Sequence, residues 1–146
     1  PTYREAFRRR RCLMPAAEFF ELGHGFHLAE HRTFAFAALW DRWRDADGAV
    51  VETCTMLTTE PNEVVAAVGH NRMPVIFIGE DEYDRWLDPE IVERPPLEDL
   101  MRPTPGGIWH VHRPVAESNA EDPAVHIWNA RSDGRDSAES QGQLFD

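Results

Sequence analysis

Apolar and polar positions along this chain alternate in short stretches, and few segments keep them at helical spacing. Tyr3 and Phe7 stand four apart in an arginine-rich opening, which predicts the end of an amphipathic helix over 3–10. Residues 11–14 then read as a short strand that Pro15 stops. The runs 19–22 and 26–28, separated by Gly23-His24-Gly25, predict a hairpin. A second antiparallel pair follows, because 34–43 and 50–58 are rich in aromatic and β-branched residues and flank the turn signal Asp45-Ala46-Asp47-Gly48. Pro61-Asn62-Glu63 opens a short helix, with Thr59 as its expected N-cap and Val64, Val65 and Val68 facing inward. Residues 75–78 read as a strand.

Residues 80–87 carry acids first and an arginine late, as a helix dipole prefers, with Tyr83, Trp86 and Leu87 on one face. A further helix is expected over 89–101, interrupted at Pro95-Pro96, and Gly106-Gly107 turns the chain into a closing strand at 108–111. From residue 129 the sequence NARSDGRDSAESQGQ is too polar to build a core, so a disordered tail over 129–146 is expected behind one folded domain over 1–128. Strands with interspersed short helices give the expected fold class: α+β, a mostly antiparallel, barrel-like sheet with short peripheral helices.

With 146 residues and 42% hydrophobic content, the chain can bury one core. It holds no apolar run of the ~20 residues a membrane span needs and no secretory leader, so a soluble, cytoplasmic protein with no membrane partner is expected. A formal charge of -11 excludes a protein that coats nucleic acid indiscriminately. The charge is uneven, with five arginines against one acid in YREAFRRRR, so any nucleic-acid contact must be local. Cys12 and Cys54 lie in apolar settings and read as buried free thiols.

Chemistry concentrates in GHNRMPVIF, residues 69–77. His70, Asn71 and Arg72 stand at the mouth of an apolar strand, and Pro74 keeps Met73 extended, so the loop is held against the core. Spacing alone reads this as a capped loop, with Arg72 paired to a carboxylate and His70 bonded to backbone. Glu21 shares a strand face with Phe19, and a carboxylate among aromatics suits proton transfer. Glu18, nearer the turn, reads as solvated. His24, His27 and His31 have ligand-like spacing, as do His110 and His112, but Gly23 and Gly25 spoil a helix that would align the first three. No metal or other cofactor is expected. Trp40, Trp43, Trp86, Trp109 and Trp128 read as core, and any exposed one could stack on a base.

Three segments together resemble the SOS response-associated peptidase (SRAP) family, whose members cap abasic sites in single-stranded DNA: RRRRCLMPAAEFFEL (8–22), FAFAALWDRW (34–43) and TCTMLTTEPNEVVAAVGHNRMPVIF (53–77). YDRWLDP (83–89) and WHVHRPV (109–115) extend the likeness over roughly 4–125. The resemblance implies that Glu21 and His70 are catalytic, that Thr59 precedes the helix as a site residue, and that Asn71 and Arg72 help bind substrate. It implies a peptidase and lyase of the bacterial DNA-damage response, working near the nucleoid. In the family, an N-terminal cysteine closes a thiazolidine with the ring-opened sugar aldehyde, a covalent protein–DNA crosslink, and the glutamate assists removal of the initiator methionine.

This chain departs from that pattern. It begins at Pro1, and neither Cys12 nor Cys54 has a free α-amine, so it reads as the C-terminal two-thirds of an SRAP domain without its nucleophile. Ala17, Glu18 and Leu22 stand where the family usually has Asp-Gly and tryptophan, and Asn71 where aspartate is common. Gln141, Leu144 and Phe145 match the Q-x-x-L-F pattern of bacterial sliding-clamp peptides, on a tether that supplies reach. The alternative from another class is a non-catalytic module that keeps only DNA or clamp contacts.

Overall fold

A computed structural model describes residues 3–113, within one compact unit, Pro1–Pro114. The expected tail, its Gln141, Leu144 and Phe145, and Trp128 lie outside the described residues, as does the expected boundary at 128.

The spine is one long strand. In chain order the strands are β1 (Arg11–Ala16), β2 (Glu18–Glu21), β3 (His24–Leu28), β4 (Phe34–Arg44), β5 (Val50–Met56), β6 (Thr58–Thr59), β7 (Met73–Pro74), β8 (Ile76–Phe77) and β9 (Trp109–His112). The helices are α1 (Arg4–Arg9), α2 (Glu63–Ala67) and α3 (Glu80–Leu87). β4 pairs antiparallel with β1 along one edge. Its other edge is divided: β8 takes Ala35 and Phe36, and β5 takes Ala38 to Arg44. At the division, Ala37 donates to the Val75 carbonyl (2.9 Å), accepts from Leu57 (2.8 Å), and Val75 donates to the Leu57 carbonyl (2.9 Å). This triangle of backbone bonds ties together the segments that lead into β6, β7 and β8.

Phe34 to Leu39 are buried throughout, whereas Trp40 to Arg44 are exposed. Period-two alternation sends Phe34 and Phe36 to a core with Phe19, Phe26, Val65, Met73, Ile76 and Trp109. Ala37 and Leu39 face a second core with Val75, Phe77, Trp86, Leu97 and Leu100. A strand covered on both faces reads as a continuous apolar run, which is why FAFAAL shows no alternation. Trp86 docks α3, donating its indole N–H to the Cys12 carbonyl at 2.9 Å and meeting Phe7 edge to face at 5.7 Å. The Arg11 guanidinium gathers the carbonyls of Phe7, Trp86 and Asp88, and so satisfies acceptors left over at the ends of α1 and α3.

The antiparallel α+β expectation holds, and the described strands divide among three sheets without closing a barrel. Several local expectations are corrected. β1 runs through Pro15, which pairs with Ala35; β1 is an edge strand, so proline's missing N–H breaks no second ladder. Asn62, not Thr59, caps α2, accepting from the Val65 N–H at 3.0 Å, while Thr59 lies in β6. The strand expected over 75–78 is β8, Ile76–Phe77, and a separate short piece, β7, precedes it at Met73–Pro74, because the chain passes from pairing with β6 to pairing with β4 across Val75. The helix expected over 89–101 is confined to a 3-10 stretch, Pro95–Met101. Leu87 is exposed, as are Trp40 and Trp43, while Trp86 and Trp109 are core. Cys12 is half-buried and Cys54 exposed, so neither is the buried thiol their neighbours suggest. Among the described residues no helix is long and apolar enough to cross a membrane.

Candidate active site

Two turns place the key side chains. β2 ends at Glu21, where Leu22 (φ 48) and Gly23 (φ 74) reverse the chain into β3. Phe19 and Glu21 share a face of β2; Phe19 enters the core and Glu21 stands at its rim. The other half comes from α2, which Val65 anchors in the same core. Gly69 (φ 93) turns the chain out of α2 in a left-handed conformation that a side chain would strain, and His70 follows. Met73, fully buried beside Val65, then pulls the chain back into β7. The polar loop is thus short and held at both ends.

His70 Nε2 lies 3.2 Å from Glu21 Oε2, with the two side chains 31% and 23% exposed, so the pair is partly shielded and still open to water. His70 Nδ1 is 2.6 Å from the Arg72 carbonyl oxygen. A carbonyl only accepts, so Nδ1 carries a proton; the Arg72 N–H, 3.4 Å from the same nitrogen, is a marginal contact by comparison. With Nδ1–H committed to the carbonyl, Nε2 is the ring nitrogen left facing Glu21 Oε2. The geometry, a carboxylate against an imidazole of fixed tautomer, is one that suits proton transfer.

Arg72 is held by a residue that sequence reasoning missed. Its Nε donates to Thr58 Oγ1 and its Nη2 to the Thr58 carbonyl, both at 2.8 Å. The expected carboxylate partner is replaced by this two-point clasp, which joins β6 to the loop bearing His70. Thr58 carries no motif; only its pairing with Pro74, two residues beyond Arg72, could have revealed it. Of the other expected site residues, Thr59 pairs with Met73 across β6 and β7, and Asn71 is exposed between His70 and Arg72.

Glu18 is not the solvated residue expected. It bonds His112 Nε2 on the opposite face of β2, reaching across β3 above Gly25. A Cβ at Gly25 would lie 2.5 Å from both Glu18 Oε1 and His112 Nε2, so glycine is what lets them meet. The histidines weighed as metal ligands stack instead: His27 lies 4.0 Å from His31 and 5.3 Å from His110, ring centre to ring centre. Among the described residues no three His, Cys, Asp or Glu side chains could hold a metal ion.

Residues 1–121 match the family model described as SOS response associated peptidase (SRAP). The abasic site processing protein YoqW of Bacillus subtilis (strain 168) is 34% identical over 112 residues, 70% of this chain and 49% of the relative. The abasic site processing protein YobE of the same organism is 31% identical, with 70% and 50% covered. The chain thus spans about half the length of these relatives. Among solved structures, a Bacteroides thetaiotaomicron protein superposes with a TM-score of 0.67 at 24% identity, over 77% of this chain and 52% of that one. A Bordetella bronchiseptica protein gives 0.63 at 26%, over 75% and 57%.

Proposed function

The chain belongs to the SRAP family, and on that premise we propose that it processes abasic sites in single-stranded DNA, supplying the acid–base half of a reaction at the sugar aldehyde. One observation carries the reading: Nε2 of His70 faces Glu21 at 3.2 Å while its Nδ1 is fixed by a backbone carbonyl. Condensing an amine with an aldehyde needs a proton removed from the attacking nitrogen and one delivered to the departing hydroxyl. A carboxylate and an imidazole in contact perform both steps in turn, one taking up a proton and the other delivering one. Thr59, Asn71 and Arg72 frame the loop on the substrate side, and Arg72 keeps the imidazole aimed. On this reading Cys12 and Cys54, both internal to the chain, do not supply the nucleophilic α-amine and thiol. The product is a covalent protein–DNA linkage made in the bacterial cytoplasm, and the same glutamate serves the self-processing peptidase step.

The test uses the gene product that contains this segment and an abasic single-stranded oligonucleotide, with adduct resolved on a denaturing gel. Glu21→Gln and His70→Gln each slow adduct formation on the order of a hundredfold or more. Unchanged rates in both variants remove the pair from the chemistry.

The tail adds a second contact on this reading, with Gln141, Leu144 and Phe145 entering the groove of a bacterial sliding clamp and bringing the protein to replication forks. Leu144→Ala with Phe145→Ala abolishes clamp retention in a pull-down; undiminished retention ends that part of the proposal.

A further inference from the structure

The two cysteines lie 42 positions from each other, yet their sulfurs stand 3.6 Å apart. Cys12, on β1, is opposite Ala38, and Cys54, on β5, is opposite Trp40, so β4 runs between them. Cys12, Ala38, Trp40 and Cys54 share one face by register, and the small Ala38 leaves the sulfurs room to approach across the middle strand. The thiols are half-buried and exposed respectively, so reagents reach them.

Strand geometry decides what such a pair can do. Strands β1 and β5 lie two strand spacings apart, on the order of 9 Å, and a disulfide joins Cα atoms at most about 7 Å apart without backbone movement. A single atom holding two sulfurs at about 2.3 Å with a tetrahedral angle separates them by about 3.8 Å. The observed 3.6 Å fits that second arrangement. We propose that Cys12 and Cys54 form a dithiol site that takes one thiophilic centre, with trivalent arsenic as the type case, bridging β1 to β5 over β4.

The chemistry balances without an oxidant. An organic arsenic(III) oxide condenses with two thiols: both S–H bonds break, two As–S bonds form, the arsenic–oxygen bond is replaced, and the two protons leave with that oxygen as one water. Arsenic stays trivalent throughout. Burial, followed by its bond with Cys54, pushes the Cys12 thiol up to about 12, so the exposed Cys54 engages first and Cys12 closes the ring. β1 leads toward β2 and Glu21, and β5 leads into Thr58, so an occupied site ties together the strands that enter both halves of the acid–base pair.

The probe is phenylarsine oxide added to the full chain, followed by intact mass and by N-ethylmaleimide labelling. The expected result is one arsenical per chain, both thiols protected, release by 2,3-dimercaptopropanol, and no release by mercaptoethanol. Loss of chelation in Cys12→Ser or Cys54→Ser weakens binding by at least about a hundredfold. Cys54 is exposed, so its variant keeps the test sound even where Cys12→Ser unfolds. Two arsenicals per chain, undiminished binding by Cys54→Ser, or complete intramolecular disulfide formation with diamide would each overturn the proposal.

Discussion

Strand β2 carries two glutamates three positions apart, and each meets a histidine on its own face of the strand. Glu18 and His112 belong to the same sheet: the pair reaches over Gly25 and fastens the outer strands β2 and β9 across β3. Glu21 and His70 belong to different elements, a hairpin end and a loop after a helix. The imidazole of His112 rests against rings, Phe20 and His27. That of His70 is gripped through its second nitrogen by a carbonyl, and the loop is in turn gripped by Thr58. The same two side-chain types make a staple in one place and, on the proposed reading, an aimed proton relay in the other, and what separates them is the support behind the imidazole.

That contrast can be broken in three ways. The largest effect separates the two carboxylates: Glu21→Gln lowers the rate of adduct formation on the order of a hundredfold, while Glu18→Gln leaves it unchanged within error. Equal losses would mean that both pairs serve one purpose. Next, Gly25→Ala forces a methyl into the space the Glu18–His112 pair occupies, and overpacking of this kind costs about 1–3 kcal/mol, read as a lower denaturant midpoint. Combined with Glu18→Ala, much of that cost disappears if the clash is the cause. The smallest effect concerns support: Thr58→Val removes one bond to a charged donor, and slows the reaction on the order of tenfold with a shifted pH profile, whereas Thr58→Ser keeps the rate. An unaltered profile in Thr58→Val would show that the clasp does not aim His70.

Much of the architecture was legible because burial imposes rhythm. The 19–28 hairpin, the long 34–43 and 50–58 pair and the 80–87 helix follow from alternation, turn residues and dipole-matched charges, and each appears within a few residues of its expected place. What failed was whatever depends on a partner distant in sequence. Thr59 looks like a cap because it precedes a proline-opened helix, but pairing with Met73 recruits it to a strand and leaves the cap to Asn62. The cysteines look buried because their immediate neighbours are apolar; β5 nevertheless runs out past the core, and its outer residues are exposed. Glu21 and His70 were nameable separately, as a carboxylate among aromatics and a histidine pinned before a strand. Their meeting was expected from the resemblance, not from spacing, since forty-nine positions separate them. Thr58 and the Glu18–His112 pair left no local trace.

The triangle joining Ala37, Leu57 and Val75 has a further consequence for how the molecule breathes. The segment ahead of Thr58, the one behind Arg72 and the central strand exchange amide bonds at one point inside the core, so none of the three can open alone. Their amide protons should therefore exchange with solvent at a common slow rate, set by unfolding of the whole unit. The candidate site would then lack a private fluctuation of its own, and its two halves would stand assembled in advance.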